Sequence, residues 1–189
     1  MAGYLGNSIL KIALIGNTDS KFCENLIEIY DNKLNFVYES KEDFKGLIIL
    51  TDKLNNDHKL LINKSDKLKI PIIGIKDGFD GLNLFFGGNE SKQTTESVSQ
   101  LFLSPGAKLS HIIGGSGWVK GDFKLQKNIS NKDLSDHFFS SIISESGQIL
   151  GYEKPGNDWQ FGLRFDMFSY GMPKGFDSIL KVFLDKCSE

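Results

Sequence analysis

The apolar positions fall into two textures, one before and one after residue 88. In the first part, short apolar runs alternate with amphipathic stretches. Ile9 to Ile15 is a near-continuous apolar run closed by Gly16-Asn17, the pattern of a strand buried on both faces. Thr18, Asp19 or Ser20 can cap a helix over about 20–32, with Phe22, Leu26, Ile29 and Tyr30 as its inner face. Asn35 to Glu39 reads as a short strand and Gly46 to Thr51 as another, followed by a polar helix or loop over about 53–68. Ile70 to Ile75 is again a buried strand. Lys76-Asp77-Gly78 then makes a sharp turn, where Gly78 can take a positive φ, and a helix follows with Leu82, Leu84, Phe85 and Phe86 on its apolar side, ended by Gly87-Gly88. Strands alternating with helices imply βαβ units and a parallel sheet.

The second part carries a weaker pattern. Asn89 to Ser99 reads as a loop. Gln100 to Leu103 and Lys108 to Ile113 read as short strands or turns around Pro105-Gly106, and residues 119–136 show little periodicity. Phe138 to Ser144 and Gln148 to Glu153 form a hairpin pattern through Glu145-Ser146-Gly147. Trp159 to Phe165 is a further strand. Phe176, Ile179, Leu180, Phe183 and Leu184 make the stripe of a terminal helix over about 176–187. The predicted class is α/β, a central mostly parallel sheet flanked by helices, flavodoxin-like, with an antiparallel extension. Residues 1–189 are read as one domain, since the chain shows no linker and no repeat.

Charge narrows the function. Lys and Arg number 22 against 24 Asp and Glu, which gives no electrostatic footprint for nucleic acid or an anionic membrane. The first residues lack the basic and apolar regions of a signal peptide, and no run approaches the length of a membrane span. The expected setting is the cytoplasm. Cys23 and Cys187 form no redox or metal motif, and His58, His111 and His137 have no metal-ligand spacing, so neither metal nor cofactor is expected. Gly114-Gly115-Ser116-Gly117 is followed by Trp118 and satisfies neither a nucleophile-elbow nor a phosphate-loop pattern.

The stretch that carries candidate chemistry is the strand-turn-helix around Lys76, because such a corner displays one side chain at the top of an α/β sheet. Gly74-Ile75-Lys76-Asp77-Gly78-Phe79-Asp80, with Asn83 and Gly87-Gly88 beyond it, resembles the G-I-C-x-G-x-Q elbow of class I glutamine amidotransferases. The likeness is to the branch holding γ-glutamyl hydrolases and γ-glutamyl-γ-aminobutyrate hydrolases. Gly162-Leu163-Arg164-Phe165-Asp166-Met167-Phe168 sits in the frame of that branch's G-V-Q-W-H-P-E strand. Lys108-Leu109 with Ile112-Ile113-Gly114, and Ser144 to Glu153, resemble its K-L-x-x-I-I-G segment and its late hairpin.

The resemblance implies a class I glutamine amidotransferase-like fold, and it also marks what is replaced. The nucleophilic Cys falls on Lys76, the general-base His on Asp166 and the orienting Glu on Phe168. The glycine pair that ends the early strand is replaced by Thr51-Asp52-Lys53. Amide hydrolysis needs a thiolate, a base and donors for the developing oxyanion, and all three parts change together. The resemblance therefore implies a pseudoenzyme that binds a protein partner, a second copy of itself or a glutamine-like ligand. The alternative is an active amidotransferase or γ-glutamyl amide hydrolase that uses the substituted residues. An ion pair between Lys76 and Asp166 is expected where Cys and His would have met. Asp52, Asp77, Asp80, His111 and Arg164 are the candidates for ligand binding in the old cleft. For Arg164, the chain's single arginine, an internal ion pair with an Asp is an equal reading.

Overall fold

A computed structural model describes residues 9–17, 21–31, 33–38 and 41–189. The first half alternates strand and helix: β1 (Leu10–Ile15), α1 (Lys21–Ile29), β2 (Leu34–Val37), β3 (Gly46–Ile49), α2 (Asn56–Leu68), β4 (Ile72–Ile75) and α3 (Asp77–Phe85). The second half is richer in strands: β5 (Lys92–Gln93), β6 (Ser97–Leu103), α4 (Lys108–Ile113), β7 (Gly117–Lys124), β8 (Lys127–Asn128), β9 (Phe139–Ser144), β10 (Ile149–Glu153), β11 (Gln160–Leu163) and α5 (Ser178–Ser188).

Nine strands form one sheet in the order β2-β1-β3-β4-β11-β10-β9-β6-β7, and β5 pairs with β8 in a small ribbon. The strands from β2 to β11 run parallel, and β10, β9, β6 and β7 extend the sheet antiparallel. This is the predicted architecture. The parallel strands are mostly apolar, with Lys11, Asn35 and Gln160 the exceptions, because helices cover both faces. Ile12 and Leu14 of β1 share a core with Phe22 and Leu26 of α1 and Phe183 of α5, while Ala13 and Ile15 face Leu61 of α2 and Phe79 and Leu82 of α3. The five apolar residues read from the terminal pattern, Phe176 to Leu184, are all fully buried. No helix among the described residues is long and apolar enough to cross a membrane.

Several elements depart from expectation. Lys108 to Ile113 is a helix, not a strand or turn, and residues 117–124 form an edge strand where little pattern was read. The polar stretch before Leu68 is helical from Asn56, with reciprocal capping between Asn55 and His58. Residues 1–8, whose sequence reads as a short arm, and the candidate caps Thr18, Asp19 and Ser20 lie outside the described residues.

Candidate functional site

The carboxyl ends of the parallel strands carry the candidate site, the usual place for ligands in open α/β sheets. β4 leaves the sheet at Ile75 and α3 starts at Asp77, so Lys76 alone makes the corner. Its backbone sits at φ 55 and ψ −113, a region that side-chain-bearing residues rarely adopt. The sequence pointed to Gly78 for the positive φ. The structure gives it to Lys76, and Gly78 lies inside the helix for a different reason. A Cβ on Gly78 would stand 1.7 Å from the Ile49 carbonyl oxygen, one on Gly81 would stand 2.3 Å from that of Thr51, and one on Gly74 would stand 2.3 Å from that of Gly78. The three glycines let the helix press directly on the backbone of β3 and β4. Asn83 then ties the far side of α3 to a later loop, donating to the carbonyls of Asn89 and Asp133 and accepting from Ser135 N–H at 2.9 Å.

That tight corner gathers a charged network. Arg164, just past the end of β11, donates to both oxygens of Asp80 at 2.5 and 2.7 Å, and to Ser91 Oγ at 2.7 Å. Ser91 in turn donates to Asp80. The guanidinium lies 4.1 Å from the centre of the Phe79 ring. Arg164 and Asp80 are 8% and 4% exposed, so the pair is desolvated and bidentate, and Arg164 Nε has no partner among the described residues. Lys127, from β8, donates to Asp52 and Asp77 at 2.9 Å each and lies 3.7 Å from Asp80. Burial works against the Lys127 charge, but the hydrogen bonds to Asp52 and Asp77 and the charge of Asp80 outweigh it and hold the ammonium well above its usual pKa. The Lys127 hydrogen bond holds Asp52 below the usual carboxylate range. Oxygens of Asp52, Asp77 and Asp80 come within 4.8 Å of one another, and the positive charge among them is the Lys127 ammonium.

Four of the five ligand-binding candidates therefore meet at one place. The fifth does not. His111 is on α4 and opens on a separate hollow with Ser110 and Gly114, sharing no residue with the elbow cleft. Lys127 and Ser91 were missed, since both lie in stretches without pattern. The only signal for Lys127 was that three Asp at one corner require cations, and Ser91 left none.

The expected Lys76–Asp166 ion pair does not form. Lys76 is exposed and has no carboxylate within 4.0 Å among the described residues. Asp166 instead accepts the Phe168 N–H at 2.9 Å, which holds it in a local turn. Phe168 turns inward and meets Phe22 of α1 edge-on, with ring centres 5.5 Å apart. Lys76, Asp166 and Arg164 line a cleft of about 320 Å³ beside the elbow. A larger hollow of about 730 Å³ lies at the opposite ends of the parallel strands, around Leu10, Tyr30 and Phe44. It contains neither cysteine nor histidine and shares no residue with the elbow.

No family model matches the sequence, and neither does any curated protein. Solved structures do match. A protein assigned to GMP synthase, from Thermoplasma acidophilum, superimposes with a TM-score of 0.71 over 95% of this chain and 94% of its own, at 18% identity. The fold is that of the class I glutamine amidotransferases. The glutaminase domain of Trypanosoma brucei CTPS, solved with bound acivicin, gives 0.69 over 95% and 94% at 11% identity. A glutamine amidotransferase from Thermotoga maritima gives 0.62 over 84% and 76% at 13% identity. At such identities the likeness speaks for the fold and leaves activity to the site itself.

The strained corner gives a first prediction. A positive-φ side chain costs about 1–3 kcal/mol, and glycine takes that conformation without strain but costs roughly 0.5–1 kcal/mol in unfolded-state entropy. Lys76→Gly is therefore expected to raise stability by about 1 kcal/mol, read as an increased denaturant midpoint. An unchanged or lowered midpoint contradicts it.

Proposed function

We propose that this protein is a catalytically degenerate member of the amidotransferase-like group, a pseudoenzyme that keeps the elbow cleft for binding. The observation that carries this reading is the composition of the elbow. A lysine occupies the place that the γ-glutamyl hydrolase resemblance gives to the thiol, and no group within ion-pair reach among the described residues takes up its proton. Both cysteines are elsewhere: Cys23 packs in the core from α1, and Cys187 lies against Gly46, with its thiol pushed up by burial. They are not joined by a disulfide. His58 caps α2, His137 stacks near Phe86 at 5.0 Å and His111 faces its own hollow, so none lines the cleft. Covalent amide hydrolysis by the family's route needs a thiol nucleophile with a base in hydrogen-bond reach, and neither a cysteine nor a histidine lines this cleft.

What remains is a small cavity of mixed polar and apolar lining beside the strained corner. Its volume suits a small molecule, which favours a ligand over a large protein surface. A protein partner, or a second copy of the chain, is the other occupant of the same proposal, in a cytoplasmic setting. The test is chromogenic. Purified protein with γ-glutamyl-p-nitroanilide is expected to release nitroaniline no faster than buffer. Release that is saturable and scales with protein concentration overturns the reading.

A further inference from the structure

The small ribbon of β5 and β8 brings both Ser91 and Lys127 to the elbow. Its two strands meet through Lys92↔Asn128 and Gln93↔Lys127, flanked by Thr94 N–H donating to the Gln126 carbonyl at 2.9 Å and Leu125 N–H to that of Glu96 at 2.8 Å. Apolar burial holds it only at the ends. None of residues 89–97 is buried, and on the other strand Leu125 and Ile129 are buried while Gln126, Lys127 and Asn128 between them are not. The ties to the elbow are polar: Lys127 donates to Asp52 and Asp77, and Ser91 accepts from Arg164 and donates to Asp80. Lys124 to Lys127 also form one wall of the cleft. A segment with few buried apolar contacts belongs to the low-stability end of a fold and opens before the core does.

We propose that the β5–β8 ribbon is a latched flap over the elbow, with Lys127 as its bolt. The fixed ends are Leu125 and Ile129 on one strand, and Val98 and Asn89 on the other, where Asn89 donates its N–H to the Asp133 carbonyl and accepts from Asn83. Lys127 and Ser91 sit on paired strands, so they leave the elbow together. Opening removes one wall of the cleft and uncovers the Asp80–Arg164 pair beneath Ser91. The bolt responds to salt because its charges are partly solvated: the side chains of Lys127, Asp52 and Asp77 are 25%, 30% and 58% exposed, whereas the apolar core is not screened. The flap is independent of what the cleft binds, so γ-glutamyl turnover bears on the pseudoenzyme reading and leaves this inference as it stands.

Two readouts on the full-length protein test it. Amide hydrogen exchange follows residues 92–94 and 126–128 against the core strands β1, β3 and β4. Phenylglyoxal, which modifies guanidinium groups, reports on the elbow itself, because Arg164 is the single arginine of the chain and is 8% exposed. In Lys127→Met the ribbon amides are expected to exchange about ten-fold faster with the core unchanged, and Arg164 is expected to be modified faster by a similar factor. Lys127→Arg is expected to stay near wild type. Wild type in about 1 M sodium chloride, where the Debye length falls to about 3 Å, is expected to move in the same direction as Lys127→Met. Ribbon exchange unmoved by Lys127→Met overturns the proposal. Ribbon and core accelerating together overturns it too, since Lys127 would then hold the whole fold. So does faster ribbon exchange with unchanged Arg164 modification, which would mean that the ribbon frays without uncovering the elbow. The salt arm needs no variant, and ribbon exchange and Arg164 modification both insensitive to salt overturn the ionic bolt by themselves.

Discussion

Gly78→Ala is expected to remove about 4 kcal/mol of stability or more. Helix propensity argues the other way, since alanine inside a helix gains up to about 1 kcal/mol over glycine. Sterics decide. The new Cβ would stand 1.7 Å from Ile49 O, 2.3 Å from Ile49 C and 2.9 Å from Leu50 N, all backbone atoms of a strand end with no rotamer to relax. α3 must lift away from β3, and it carries Asp77 and Asp80 with it, out of reach of Lys127 and Arg164. Overpacking of well-packed interiors costs about 1–3 kcal/mol when side chains can adjust, and here they cannot. A domain with roughly 5–15 kcal/mol in hand is left close to unfolded. Denaturant unfolding measures it, and a loss below about 1 kcal/mol would mean that the elbow is looser than described.

The second large effect belongs to the Asp80–Arg164 pair. Asp80→Ala leaves a buried guanidinium with only Ser91 and the Phe79 ring beside it. Removing one partner of a buried pair costs about 3–5 kcal/mol. Arg164→Met is expected to cost less, about 2 kcal/mol, because Lys127 stays 3.7 Å from Asp80 and Ser91 still donates to it, while methionine fills the volume over Phe79. The double variant is expected to be more stable than the sum of the two losses by about 2 kcal/mol, since it removes both charges together. A double-mutant cycle on unfolding free energies reads this directly. Strict additivity would show that the two groups are not coupled.

Most of the parallel half was legible because its strands are buried on both faces. Such strands have to be mostly apolar, and β1, β3 and β4 announce themselves as Ile- and Leu-rich runs broken only by Lys11. The hairpin of β9 and β10 was legible for a different reason, its turn through Glu145-Ser146-Gly147. α4 was not. Ile112 and Ile113 are β-branched, and what starts the helix is distant: Glu153, buried on β10, accepts the Lys108 and Leu109 N–H groups at 2.7 and 3.1 Å. A cap supplied from so far along the chain leaves no local trace. β7 is likewise ordered by pairing with β6, from Ser97↔Lys124 to Leu103↔Gly117, and its own residues alternate too weakly to show it.

The site was half legible for the same kind of reason. Asp77, Asp80 and Arg164 stand in frames that the sequence supplies, at the elbow and at the end of the late strand. Lys127 comes from a two-residue strand with no pattern, and only tertiary folding brings it among three carboxylates. The Lys76–Asp166 expectation failed because a carboxylate two residues before a backbone N–H has a nearer donor than a lysine on another strand end. His111 was misplaced because position in the chain said nothing about where α4 sits, and no residue of α4 lines the cleft.

The most direct test of the central claim is release of glutamate from L-glutamine, followed over hours with wild type beside Lys76→Ala. The account predicts that neither protein exceeds the uncatalysed rate. Turnover by wild type that is lost in Lys76→Ala would contradict it and make Lys76 a catalytic residue. Equal turnover by both would contradict it as well, by placing chemistry somewhere other than the elbow.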